Sequence, residues 1–194
     1  SWGYIGTGGV ATLINVYTTK AEGVLGWNGT SPTGKTPVGY EVRKSDYQIT
    51  GSMSVGAWVY RPNTNLINTI IAKDLYAQTE TYGLWGGWNT PYLPRFQVGN
   101  KTVDATSAVN TPNAWHFIVG VYDGSNTYLY FDGSLNNTTS GSAATVENYA
   151  PVSIGNGYSF TGNNFYYNGS IDEPFVTTEA LTAGQIFDMY NSGR

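Results

Sequence analysis

Two tryptophans and a tyrosine gather around a glycine bend in Trp85-Gly86-Gly87-Trp88-Asn89-Thr90-Pro91-Tyr92. That grouping has a definite chemistry. The C–H faces of a sugar ring stack on aromatic planes, and an amide such as that of Asn89 exchanges hydrogen bonds with ring hydroxyls. Trp85, Trp88, Asn89 and Tyr92 are therefore the candidate ligand-binding residues. The competing reading is structural, with one tryptophan in the core and the other sealing a loop. A second aromatic group, Tyr158, Phe160, Tyr166 and Tyr167 around Asn163-Asn164, fits a ligand loop or a contact with a partner protein equally well.

Catalysis has less to build on. Hydrolysis of a glycosidic bond needs two carboxyl groups held about 5–10 Å apart. The 13 acidic residues are scattered. The one adjacent pair, Asp172-Glu173, lies in a strand-like stretch where neighbours point to opposite faces. His116 is the single histidine, so no two-His metal site can form and no Ser-His-Asp arrangement has a second candidate base. A structural histidine is expected there. Cysteine is absent, which removes disulfides, thiol nucleophiles and thiolate metal sites. The set of candidate catalytic residues is empty, and the chain reads as non-enzymatic.

Composition narrows the setting. Only 11% of the 194 residues are charged while 15% are aromatic, so the surface must be covered by Asn, Thr, Ser, Gly and Tyr rather than by ions. Disorder does not fit that aromatic content, and no apolar run approaches the roughly 18 residues of a membrane helix. A net charge of −4 without a basic cluster argues against nucleic acid as a partner. The sequence starts at Ser1 rather than Met, as it would after removal of an export signal or after trimming. Asn28, Asn100, Asn136, Asn137 and Asn168 stand in Asn-x-Ser/Thr sequences in loop-like segments, the acceptor pattern for N-glycosylation.

The elements that must position these residues are strands. Trp115–Tyr122 alternates Trp115, Phe117, Val119 and Val121 with His116, Ile118 and Tyr122, and a second run alternates Thr127, Leu129 and Phe131 with Tyr128 and Tyr130. Asp123-Gly124 and Asp132-Gly133 punctuate them, as hairpin turns with positive φ require. The stretch to Leu135 is an antiparallel meander of about three strands. Further strands are expected at 10–18, 40–49, 52–60, 67–73, 82–88, 95–98 and 152–155, and within 165–176. Asn136–Thr145 reads as a polar bridge, and Ser1–Gly9 as a Gly-rich lead. The helix is at the C-terminus, where Thr182 and Gln185 form a capping box ahead of an apolar stripe and Gly193 marks the end.

The order of these signals resembles a known family. Ser54-Val55-Gly56-Ala57-Trp58-Val59 is followed by Ile70-Ile71-Ala72-Lys73. Then come Ala114–Gly124, Tyr130-Phe131-Asp132-Gly133, Ile154-Gly155, Gly169-Ser170-Ile171-Asp172-Glu173 and Ala180–Ile186. From about Tyr40 to Tyr190 the chain resembles the LamG-like, concanavalin A-like lectin/glucanase jelly rolls. The resemblance implies an all-β, antiparallel two-sheet sandwich with one short helix over residues 40–194, preceded by an N-terminal extension at 1–39. It also implies that Asp172, on the last strand, can help hold a structural Ca²⁺; the alternative is that Asp172 caps or pairs locally. The dense acidic motif of related jelly-roll glycosidases is missing.

Two functions follow from different classes. One is a non-catalytic carbohydrate-binding or adhesive module, extracellular or on a cell or virion surface, with glycans or cell-surface polysaccharide as its partner. The other is a self-assembling structural subunit of a filament or virion, in which the strand around Val10–Thr18 docks on its own domain or completes the sheet edge of another copy.

Overall fold

Strand β10 (Trp115–Tyr122) shows why this sequence folds as a sandwich. Its alternation sends Ile118 and Tyr122 into one buried cluster with Met53, Val55, Ala57, Leu84, Phe96 and Leu129. Phe117, Val119 and Val121 go into another with Trp58, Tyr130, Phe175 and Ile186. The first cluster lies between two sheets and the second lies beneath the helix. Complete burial of a side chain such as Ile118 or Leu129 stabilises the fold by about 1.5–3 kcal/mol.

The computed structural model describes residues 2–7, 10–15, 25–27, 40–42, 49–62, 67–75, 78–88, 93–106, 111–144, 152–155 and 166–193. The larger sheet runs in the order β12 (Ser134–Ser140), β11 (Asn126–Phe131), β10, β5 (Met53–Tyr60), β14 (Gly169–Thr177), β1 (Trp2–Thr7) and β2 (Val10–Asn15), with β3 (Leu25–Trp27) also paired to β14. The smaller sheet runs β4 (Tyr40–Val42), β13 (Val152–Ile154), β6 (Asn68–Leu75), β7 (Gln78–Trp88), β8 (Leu93–Val98) and β9 (Lys101–Asp104). This is the antiparallel jelly-roll sandwich expected. One ladder departs from that pattern: β1 pairs parallel to β14, through Tyr4–Phe175 and Ile5–Val176.

Turn chemistry agrees with the sequence. Asp132 and Gly133 both take positive φ, 49° and 77°, as a two-residue hairpin turn demands. Helix α1 (Ala183–Ser192) begins at Thr182 with both halves of the capping box formed, ends at Gly193, and buries Ile186 against the larger sheet. Trp58 stacks on Tyr190 at 5.5 Å.

Three expectations need correcting. The polar stretch from Asn136 is not a bridge, because β12 runs to Ser140 and pairs with β11. Its side chains then tie the two sheets together: Asn136 Oδ1 accepts from Thr106 N at 2.8 Å and Asn137 Nδ2 donates to the Asp104 carbonyl at 2.8 Å. Tertiary pairing thus overrides the poor strand propensity of Asn. The Gly-rich lead contains β1, a strand in its own right. Finally, Asp172 and Glu173 do not simply alternate. Glu173 sits at φ 48° where the β14–β5 register shifts, so the strand bulges and Pro174, which lacks an N–H, falls in the irregular stretch.

Two outcomes follow. A Cβ on Gly120 of β10 would fall on the Phe96 ring from the opposite sheet, so Gly120→Ala should lower unfolding free energy by about 1–3 kcal/mol in urea titrations; an unchanged midpoint would contradict this packing. At the β10–β11 turn, slight burial pushes the Asp123 carboxyl up, but hydrogen bonds from Ser125 N, Asn126 N, the Asn126 amide and the Tyr128 hydroxyl outweigh it and hold the group below the ordinary aspartate value. Its contribution to stability is full above the ordinary value and is lost as pH falls through the depressed one. Carboxyl NMR titration should find Asp123 below a free aspartate, and Asp123→Asn should flatten stability over that acid range.

Candidate functional site

Period-two alternation divides β7 between two faces. Tyr82 and Leu84 point into the core. Trp85, paired with Arg95 where Leu84 is paired with Phe96, lies on the outer face of the smaller sheet. It is nonetheless only 1% exposed. Its indole lies along its own strand over Gly83, where any Cβ would collide with the ring. An aromatic two residues from a glycine on the same strand face is a signal for this covering arrangement that the sequence reading passed over. Trp88 is half-buried and meets Trp85 with ring centroids 5.0 Å apart and planes tilted by 59°, within the favourable range for aromatic pairs.

Two further residues complete the cluster, and the sequence reading did not include them. Arg95 places its guanidinium carbon 5.1 Å from the Trp88 ring centroid. The same guanidinium donates from Nε to Asp104 Oδ1 at 2.6 Å and from Nη2 to Oδ2 at 2.8 Å, a fork-to-fork pair. The Arg95 side chain is 16% exposed and that of Asp104 47%, so the pair lies at the surface with Asp104 the more open. Arg95 and Asp104 are cross-strand partners about the Gly99-Asn100 turn; only recognition of β9 would have brought them together in the sequence. Trp85, Trp88, Arg95 and Asp104 thus form one strip across β7, β8 and β9. Asn89 and Tyr92 lie outside the described residues.

The other sequence candidates, where they are described, have the following surroundings. Tyr167 is fully buried in the core, and burial pushes its hydroxyl up while the nearby Arg61 guanidinium opposes that rise. Tyr166 is half-buried; Tyr158, Phe160, Asn163 and Asn164 lie outside the described residues. His116 makes local bonds: Nδ1 to Asp132 Oδ2 at 2.8 Å, and Nε2 within 3.1 Å of Thr111 Oγ1 and 3.2 Å of the Thr111 carbonyl. Asp132 Oδ1 accepts from Phe117 N, so this chain fastens the β11–β12 turn to β10. Asp172 Oδ1 accepts from Glu173 N at 3.0 Å within the bulge. Among the described residues no three His, Cys, Asp or Glu side chains come together. Of the acceptor asparagines, Asn100 is exposed at the β8–β9 turn with Oδ1 accepting from Ala144 N. Asn136 and Asn137 lie in β12 rather than a loop, Asn168 is half-buried just before β14, and Asn28 is outside the described residues.

Comparison with known proteins agrees with this architecture. Residues 36–187 match the model of the Laminin_G_3 family, described as the concanavalin A-like lectin/glucanases superfamily. The chain belongs to this superfamily. No curated protein matches it. Among solved structures, the CBM40 of a Ruminococcus gnavus IT-sialidase, bound to α2,3-sialyllactose, is similar with a TM-score of 0.63 and 14% identity, over 78% of this chain and 91% of that one. A native heptameric SAP-like pentraxin from Limulus polyphemus gives 0.57 and 14%, over 72% and 69%. A structure of botulinum neurotoxin type C, whose cell entry depends on interaction with two ganglioside molecules, gives 0.54 and 20%, over 76% of this chain and 37% of that one. At these identities the likeness is one of fold.

The two tryptophans should separate on substitution. Trp85→Ala removes a fully buried indole and should cost about 3–5 kcal/mol in chemical denaturation. Trp88→Ala, at a half-exposed ring, should cost clearly less and leave a folded protein. Equal losses would contradict the assignment of Trp85 as support and Trp88 as surface.

Proposed function

We propose that the chain is a non-catalytic carbohydrate-binding module that works at a surface or outside the cell. The observation that carries this reading is the half-exposed Trp88 ring, braced beneath by Trp85 and flanked by Arg95, with the Asp104 carboxylate open beside it. A braced aromatic plane offers a stacking surface at little entropic cost. A guanidinium and a carboxylate next to it supply donors and acceptors for hydroxyls. Superfamily membership and the likeness to a sialyllactose-bound module support the reading. In this proposal Trp85 supports the site without touching the sugar, and Asn89 and Tyr92 are further candidate ligand contacts. Among the described residues no helix is long and apolar enough to cross a membrane.

A glycan array tests the reading directly. The wild-type chain should bind at least one glycan class, and Trp88→Ala should weaken that binding about tenfold or more, roughly 1.4 kcal/mol, with the circular dichroism spectrum unchanged. A wild-type protein that binds no glycan, or a Trp88→Ala variant with undiminished affinity, would count against it.

A further inference from the structure

Alternation along β8 and β9 sorts their side chains between the core and the outer face. In β8, Pro94, Phe96 and Val98 are buried, while Arg95 and Gln97 are partly exposed. In β9, Val103 enters the core, while Thr102 and Asp104 turn the other way. The ladder sets Arg95 against Asp104 and Gln97 against Thr102. The outer face therefore presents two cross-strand pairs in succession, an ion pair and then an uncharged pair.

The two charges of the ion pair are not equally available. Asp104 takes Nε and Nη2 of Arg95, and the guanidinium lies over Trp88. Asp104 is the more open partner. Each carboxylate oxygen has two lone pairs, so each Asp104 oxygen keeps one for a further donor after accepting from Arg95. A sugar hydroxyl supplies such a donor. A ligand carboxylate or sulfate is an acceptor only and meets Asp104 as a like charge. Among the residues whose side chains are described, no other cation on this face offsets that repulsion. Arg61 and Lys73 are buried, and Lys101 stands in the register of Val103, on the other face, with its ammonium against Gly141.

We infer, resting on the reading of this strip as a sugar site, that it selects uncharged glycans and rejects those bearing carboxylate or sulfate groups, with Asp104 as the residue that sets the choice. Trp88 supplies the stacking plane, and Asp104 accepts from hydroxyls of the stacked ring. Arg95 acts through Asp104, whose carboxylate it holds in place. The uncharged Gln97–Thr102 pair, about 7 Å further along the strands, meets the neighbouring part of the ligand.

Matched glycans test this on the full chain: lactose against sialyllactose, a xylan oligosaccharide with and without glucuronic acid branches, and a galactan oligosaccharide with and without sulfate. Each neutral glycan that binds should do so about tenfold or more tightly than its acid-bearing counterpart. Asp104→Asn keeps the size of the side chain, removes its charge and leaves Arg95 without a counter-charge. It should lower neutral affinity about tenfold and narrow the neutral-to-acid ratio by about tenfold or more. Its circular dichroism spectrum should match the wild type, since a surface ion pair adds little to stability. Arg95→Gln should still reject the acid-bearing glycans. A wild type that binds both members of a pair equally, or prefers the acid-bearing one, would overturn the inference, as would an unchanged ratio in Asp104→Asn. In those cases a loss of binding in Trp88→Ala would keep the sugar site itself standing. A wild type that binds no glycan, or a Trp88→Ala variant that binds undiminished, would remove the sugar site and this inference with it.

Discussion

The approach of β10 to β8 across the core is the constraint on which the rest of the structure depends. Gly120 has no side chain, and the Phe96 ring fills the space it leaves. Because a strand alternates its side chains, seating Phe96 inward obliges Arg95 to stand outward. That one register decision brings Arg95 opposite Trp85 on one side and Asp104 on the other. The packing of the core therefore determines the composition of the outer strip. A slip of one residue in β8 would bury a guanidinium between the sheets and place a phenyl ring where the ion pair now forms.

The two outer faces of the sandwich then take different roles. The larger sheet spends its outer face on α1, whose Ile186 and Tyr190 cover Trp58, Phe117 and neighbouring apolar groups. The smaller sheet has aromatic, cationic and anionic side chains on its outer face at β7 to β9 instead. The edges show a similar division. One side of the sandwich is zipped by asparagine amides from β12 to the backbone around β9, and the opposite side ends in the uncharged strand β2.

Much of the framework was legible in the residues. Alternation in Trp115–Tyr122 and Asn126–Phe131 assigned each side chain to its observed face, because each face of those strands packs its apolar residues into one of the two buried clusters. The Asp132-Gly133 turn and the Thr182–Gln185 cap were equally plain, since each depends on local backbone chemistry alone. What the residues concealed was whatever depended on distant partners. β12 is a strand because β11 pairs with it and its asparagines bridge to Asp104 and Thr106, not because Asn and Ser favour extended backbone. Trp85 and Trp88 read alike in the sequence, and only the burial of the first over Gly83 separates them. Arg95 and Asp104 are nine residues apart and became neighbours only once the short hairpin between them was recognised.

The central claim is that ligand recognition belongs to the strip formed by Trp88, Arg95 and Asp104 on the outer face of the smaller sheet. A nitrogen–proton NMR shift map, recorded as a bound glycan is added to the wild-type chain, addresses it most directly. The account predicts that the largest changes fall on the Trp88 indole N–H and on the Arg95 and Asp104 signals, while β10, β11 and α1 stay unmoved. Changes concentrated on the α1 face or around His116, with Trp88 and Arg95 silent, would contradict it.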